Sequence, residues 1–196
     1  MPALPTVALD QILAQARSYN DWAQEDVPAT LMREVYELTK WGPTSANCSP
    51  ARFVFIGSPQ GKARLKPYLS AGNLDKTMAA PWTVIVATDP KFYDKVPELF
   101  PHKPEAAGWF SGMPDGGAEA GFRNGTLQGA YLMIAARALG LDCGPMSGFD
   151  ASGVDAEFFA ENGWKSNFLV NLGHGTQKDL FARLPRLDFD TACQII

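Results

Sequence analysis

The sequence predicts a single α+β domain over residues 1–196, and three observations carry that prediction. Stretches with helical spacing and short apolar runs follow one another without the regular strand–helix–strand alternation of a parallel sheet. No internal repeat, low-complexity tract or linker-like stretch divides the chain. Apolar residues make up 46 % and charged residues 19 % of the sequence, the balance of a folded globular protein.

Leu9, Ile12, Leu13 and Ala16 recur at the three- and four-residue steps of one helix face. A second helix is expected with Pro28 at its first position and Leu31, Val35 and Leu38 as its apolar stripe. Trp41-Gly42-Pro43 breaks it, because the residue before a proline is pushed out of the helical region. The polar stretch Thr44 to Pro50 leads into a strand, Phe53-Val54-Phe55-Ile56. Ser58-Pro59 reads as the cap and first residue of a third helix, since serine accepts from the orphan N–H groups and proline lacks one. Thr83 to Ala87 forms a second strand.

Residues 101–117 hold three prolines and four glycines, too many for a regular element. Trp109 and Phe110 there favour an ordered lid over a solvated linker. Ala118 to Leu139 is the longest helix. Gly121, Gly125 and Gly129 strip one of its faces at about 1 kcal/mol each against alanine, so close approach of another backbone is expected to compensate. Tight packing within the chain and a helix crossing between two subunits both satisfy that need. Phe168 to Leu172 is the last strand, ahead of a basic tail carrying Arg183 and Arg186.

Composition also excludes function classes. With 17 Lys+Arg against 21 Asp+Glu the net charge is −4, and no basic cluster exists to neutralise a phosphate backbone, so nucleic acid is not an expected partner. Cys48, Cys143 and Cys193 are too widely spaced for a zinc motif or a disulfide framework, and two histidines do not assemble a metal site. The N-terminus has no signal-peptide pattern, and apolar runs as short as Val84–Ala87 do not span a bilayer, so a cytoplasmic protein is expected. Gly57 to Lys62 is one residue short of a P-loop and has Ala63 where a hydroxyl must meet magnesium. No dinucleotide fingerprint follows a strand and no nucleophile elbow is present.

Several short polar segments share a chemistry suited to an anionic, planar ligand. Arg17-Ser18-Tyr19-Asn20 offers a cation, a hydroxyl and an amide, and Pro43-Thr44-Ser45-Ala46-Asn47 offers hydroxyls and turn N–H groups. Asn73 and Lys76 are one helical turn apart. Gly144-Pro145-Met146-Ser147-Gly148 reads as a tight loop exposing backbone N–H groups, and Arg183 with Arg186 can clamp a phosphate.

Their order along the chain resembles the FMN-dependent nitroreductase family, over nearly the whole length from Arg17 to Arg186. Pro43-Thr44-Ser45-Ala46-Asn47-Cys48-Ser49-Pro50 is similar to that family's P-S-S-x-N-x-Q-P turn, and Leu139 to Phe149 is similar to its G-L-…-P-x-x-G-F segment. The wording WGPTSANCSPARFVF with GPMSGFD resembles most the family's malonic semialdehyde reductases of pyrimidine degradation.

The resemblance implies a central, mostly antiparallel sheet flanked by helices, in an intertwined homodimer with two FMN sites at its interface. Arg17, Ser18, Arg186 and Arg183 would lie at the FMN phosphate or ribityl chain. Asn73 and Lys76 would meet the pyrimidine edge, Ser147 would offer its backbone N–H to flavin N5 beside Pro145 and Gly148, and Pro43, Thr44 and Ser45 would come from the other subunit. Ala16 and Asn20 stand where the family carries basic residues, leaving Arg17 as the only cation of that stretch. The implied activity is NAD(P)H-dependent reduction of malonic semialdehyde to 3-hydroxypropanoate. Arg123 is the first choice for the substrate carboxylate, ahead of Arg52 and Lys103. A broad nitroaromatic or quinone reductase, and a flavin-binding protein without turnover, are the competing readings.

Overall fold

The computed structural model describes residues 2–196. Four strands form one sheet: β1 (Ala51–Ile56), β2 (Trp82–Thr88), β3 (Asp142–Met146) and β4 (Lys165–Gly173), in the order β1-β2-β4-β3 with every neighbouring pair antiparallel. Among the described residues, nine α-helical segments surround it: α1 (Thr6–Leu9), α2 (Ala29–Thr39), α3 (Pro59–Leu65), α4 (Ala71–Ala79), α5 (Val96–Leu99), α6 (Ala107–Ser111), α7 (Ala118–Ala138), α8 (Ala151–Phe158) and α9 (Phe189–Ala192). The α+β class expected from the sequence is the class observed. Among the described residues, no helix is long and apolar enough to cross a membrane.

Burial of both faces explains why the centre of β2, residues 84–87, is apolar throughout. Val84 and Val86 face the core under α2 and α7, whereas Ile85 and Ala87 face the core under α3 and α8. Val170 and Leu172 on β4 join the first core and Leu169 the second, so the sheet is covered on both sides. Each fully buried Val, Leu or Ile contributes about 1.5–3 kcal/mol of transfer free energy, and the central strands supply half of them: Val84, Ile85, Val86, Leu169, Val170 and Leu172.

Several expectations hold and others shift. Ser58 caps α3 by accepting from the Gly61 N–H at 3.0 Å, with Pro59 at the first position. Pro28 is the cap of α2 rather than its first residue, and the buried stripe is Met32, Val35 and Thr39 instead of Leu31, Val35 and Leu38. Both stripes have helical spacing; packing against α7 selects the one whose threonine can return its hydroxyl to the Val35 carbonyl, at 2.7 Å. The first helix is the short α1 continued by a π-turn over Asp10–Ala14, and Leu9 and Leu13 stay exposed.

The glycine face of α7 packs within its own chain. A Cβ at Gly129 would lie 2.3 Å from the Phe168 ring, and one at Gly121 or Gly125 would meet Thr88 at 3.0 or 2.7 Å. Side chains of the sheet, not a second backbone, fill the stripped face. Residues 101–117 also differ from expectation, because they carry a 3-10 turn over Pro104–Ala106 and then α6. Phe110 is buried against Phe92, with ring centroids 5.1 Å apart, in a small third core with Cys48, Val96 and Ala120. That anchor supplies the order expected of the segment.

Candidate functional site

The edge strand β3 organises the site. Gly144 and Pro145, expected in a loop, lie inside β3 opposite Asn171 and Val170, and only Ser147 and Gly148 extend beyond it. An edge strand tolerates proline because one of its rims makes no ladder. Along that rim runs the N-terminal segment: Ser18 bridges Cys143 in parallel and the Tyr19 N–H donates to the Cys143 carbonyl at 3.0 Å. A Cβ on Gly144 would sit 2.6 Å from the Tyr19 carbonyl oxygen, so glycine is what lets the segment approach. Further along, Trp22 bridges Gly175 and the Ala23 N–H donates to the His174 carbonyl at 2.8 Å.

The chain's two ends then tie together crosswise. Arg17 donates to the Phe181 carbonyl, and Arg183 donates to the Ala16 carbonyl at 3.1 Å. Between them lies a groove of about 830 Å³ lined by Arg17, Ser18, Arg137, Arg183 and Arg186 among others. Among the described residues, no carboxylate lines this groove. Each guanidinium has five N–H donors, so one or two carbonyl contacts leave donors for an anion. Arg137, near the end of α7, was not selected from the sequence; an arginine in an apolar helix gives no signal of the arginine-lined groove it borders. It is held by donating to the Ile12 carbonyl at 3.1 Å.

Asn20 joins this groove to α4. Its side-chain oxygen accepts from the Lys76 amine at 3.2 Å, and partial burial lowers the Lys76 pKa from its ordinary 10.5. At the start of the same helix, the Asn73 amide donates to the Gly148 carbonyl at 2.7 Å and the Ser70 N–H donates to it at 3.1 Å. A Cβ on Gly148 would lie 2.6 Å from the Asn73 amide nitrogen, so the close approach of α4 to this loop needs glycine. Arg17, Ser18, Asn73, Lys76, Ser147, Gly148, Arg183 and Arg186 therefore share one side of the molecule, around the β3 edge.

Pro43, Thr44 and Ser45 are elsewhere. They precede β1, the opposite edge of the sheet, beside α7: the Ser45 N–H donates to Asn124 Oδ1 at 2.9 Å, and the Tyr131 hydroxyl donates to the Pro43 carbonyl at 3.0 Å. Two of the turn N–H groups expected to be available, those of Ser45 and Asn47, are taken up. Asn47 donates to the Thr44 carbonyl, Cys48 to the Ser45 carbonyl and Ser49 to the Thr44 hydroxyl, at 3.0, 3.0 and 3.1 Å. Left-handed φ angles at Ala46, Asn47 and Ser49 (47°, 50° and 38°) curl the turn onto itself and make these bonds possible.

The carboxylate candidates are also apart from the β3 edge within one chain. Arg123 lies exposed on α7, paired with Glu119 one turn earlier. Arg52 is engaged with Asp89 at 2.8 Å and with the Ser49 and Ala51 carbonyls, and Lys103 stands over the Trp109 ring at 4.9 Å.

The chain is similar to known proteins along most of its length. The family model described as Nitroreductase family matches residues 13–174. A Stenotrophomonas maltophilia protein provisionally named NADH dehydrogenase/NAD(P)H nitroreductase is 59 % identical, over 98 % of this chain and 98 % of its own. Two solved structures share the fold at low identity. A provisionally assigned Bacillus subtilis nitroreductase has a TM-score of 0.87 at 17 % identity, covering 98 % of this chain and 100 % of its own. One from Exiguobacterium sibiricum, solved in complex with FMN, has a TM-score of 0.86 at 20 % identity, covering 100 % and 99 %.

Proposed function

Since the chain belongs to the nitroreductase family, we propose that it is an FMN-dependent NAD(P)H oxidoreductase, active as a homodimer with two flavin sites. Its substrate in this reading is malonic semialdehyde, reduced to 3-hydroxypropanoate in pyrimidine degradation. The observation that carries the cofactor assignment is the carboxylate-free arginine groove, joined through Asn20 to Lys76. That donor set fits FMN, with guanidinium groups for a phosphate at one end and an amine with a glycine-backed loop for a flat polar ring at the other. The one-sided distribution of residues supports the dimer: Pro43, Thr44 and Ser45 lie at the opposite sheet edge, so in the assembled site they would be residues of the partner subunit.

FMN, when bound, supplies the hydride chemistry between NAD(P)H and the oxidised substrate. The protein's own contribution is binding, orientation and fixed charge. Arg17, Arg183 and Arg186, with the Ser18 hydroxyl, would hold the phosphate by charge-assisted hydrogen bonds. Lys76 places an amine where negative charge collects on reduction, and its partial burial strengthens that interaction by removing competing water. Ser147 is exposed just beyond the end of β3 and would present its backbone N–H to the flavin ring, next to Gly148. Arg123 would bind the substrate carboxylate only in the partner's site, because in its own chain it is remote from Lys76.

Purified protein supplied with FMN should show flavin bands near ~370 and ~450 nm that bleach under anaerobic NADH or NADPH. A spectrum without those bands after FMN addition refutes the cofactor assignment, and bands that never bleach favour a flavin-binding protein without turnover. A second reading, a broad nitroaromatic or quinone reductase, is favoured by the provisional names of the relatives. Steady-state kcat/KM for malonic semialdehyde against a nitroaromatic separates the two.

A further inference from the structure

Behind Lys76 runs a buried polar chain that none of the roles above uses. Lys62, on α3, is 5 % exposed, and Thr77, Thr83 and Asn171 are fully buried. The Lys62 amine donates to the Thr77 carbonyl at 2.7 Å and to the Thr83 hydroxyl at 2.5 Å. Thr83 in turn donates to Asn171 Oδ1 at 2.7 Å. The Asn171 amide donates to the Thr77 hydroxyl and to the Lys76 carbonyl, both at 3.3 Å, and the Thr77 hydroxyl ends the relay on Met146 Sδ at 3.3 Å. Trp22 Nε1 gives the Lys76 carbonyl a second donor at 2.9 Å.

Two features set this chain apart from ordinary core polarity. It includes a lysine withdrawn from water with two neutral acceptors and no carboxylate hydrogen-bonded to it, an arrangement that an apolar side chain of similar length would replace at less cost. It also converges on one short stretch: five of its contacts fall on Lys76 and Thr77, the last turn of α4. A fully satisfied buried network gives up stability for a unique geometry, and here that geometry belongs to the helix end that carries Lys76.

We propose that Lys62 is a positioning residue for the flavin site: through Thr77, Thr83 and Asn171 it fixes the last turn of α4 and thereby the placement of Lys76 against the cofactor. The inference rests on the FMN reading and adds to it a residue with no contact to the ligand. Lys76 senses the charge gained on reduction, so misplacing it weakens the reduced complex more than the oxidised one.

Lys62→Met tests this with cofactor-free protein and with FMN in each oxidation state. Without FMN, amide exchange over residues 77–80 is expected to rise by about tenfold while α7 exchanges as in wild type. Affinity for reduced FMN is expected to fall about tenfold more than that for oxidised FMN, which lowers the bound two-electron potential by about 30 mV. Added to Lys76→Met, the same substitution should leave the potential unchanged. Equal weakening of both FMN states, unaltered exchange over 77–80, or the same potential shift in the Lys76→Met background overturns the proposal. Should Lys62→Met fail to fold, Thr83→Val deletes only the shared hydroxyl and carries the same expectations. Wild-type protein that binds no FMN overturns the underlying functional reading instead.

Discussion

Lys62 makes the stability of this fold depend on pH in a direction opposite to that of its buried thiols. Burial lowers the lysine from its ordinary 10.5 to about 7. Between those two values the unfolded chain holds a proton that the folded chain does not, so stability rises with pH, by at most about 1.4 kcal/mol per pH unit. The destabilisation is complete below the folded value and gone above 10.5, a total of roughly 5 kcal/mol. Burial raises Cys48 to about 11 and Cys143 to about 12 from 9.0, so the unfolded chain ionises first and stability falls as pH passes 9.0. Urea unfolding of the reduced protein should therefore show a gain of about 1–1.5 kcal/mol between about pH 7 and pH 8.5, then a plateau and decline. Lys62→Met should remove the rise and keep the decline, and the difference between the two curves isolates the lysine. Parallel curves for the two proteins over that interval would show that the amine is not desolvated in the folded state, and the reasoning would fail.

Other substitutions address packing and the candidate site. Gly129→Ala forces a methyl group against the Phe168 ring and should lower the stability by about 1–3 kcal/mol, read as a shift in the urea midpoint at unchanged m. Arg17→Ala or Arg183→Ala should weaken FMN binding by roughly 10–100-fold by fluorescence titration, with a smaller salt dependence than wild type; unchanged affinity would move the phosphate elsewhere. Lys76→Met should lower kcat about 100-fold while oxidised FMN binding changes little. Arg123→Ala should raise KM for malonic semialdehyde, and an unchanged KM removes Arg123 from the substrate site.

What could be read from the sequence depended on how local the cause was. Ser58-Pro59 and the apolar run of β2 act through their own neighbours, and both appear where expected. β3 was hidden because Gly144-Pro145 has the composition of a turn, and only its position at a sheet edge lets a proline belong to a strand. The phase of α2 was likewise decided outside the helix, by the surface of α7 against which Met32 and Val35 pack. At the site, Arg17, Lys76 and Arg183 declared themselves by charge. Asn20 and Arg137 acquire their places only when the N-terminal segment lies along β3. Lys62 was the least legible: on a helix with Lys66 and Arg64 close by, nothing marks it as the lysine that faces inward.

The crosswise tie between Arg17 and the Phe181 region has a consequence for how the protein is made. The arginine groove draws one wall from residues 16–18 and the other from residues 180–186, which leave the ribosome long after them. Between them the ribosome must deliver all four strands, and β3, which seats the N-terminal segment, follows α7. A nascent chain can thus build most of its sheet while owning only half of that groove. The groove is then completed only when residues 180–186 arrive, and under the proposed function a partial product lacking them would not load the cofactor.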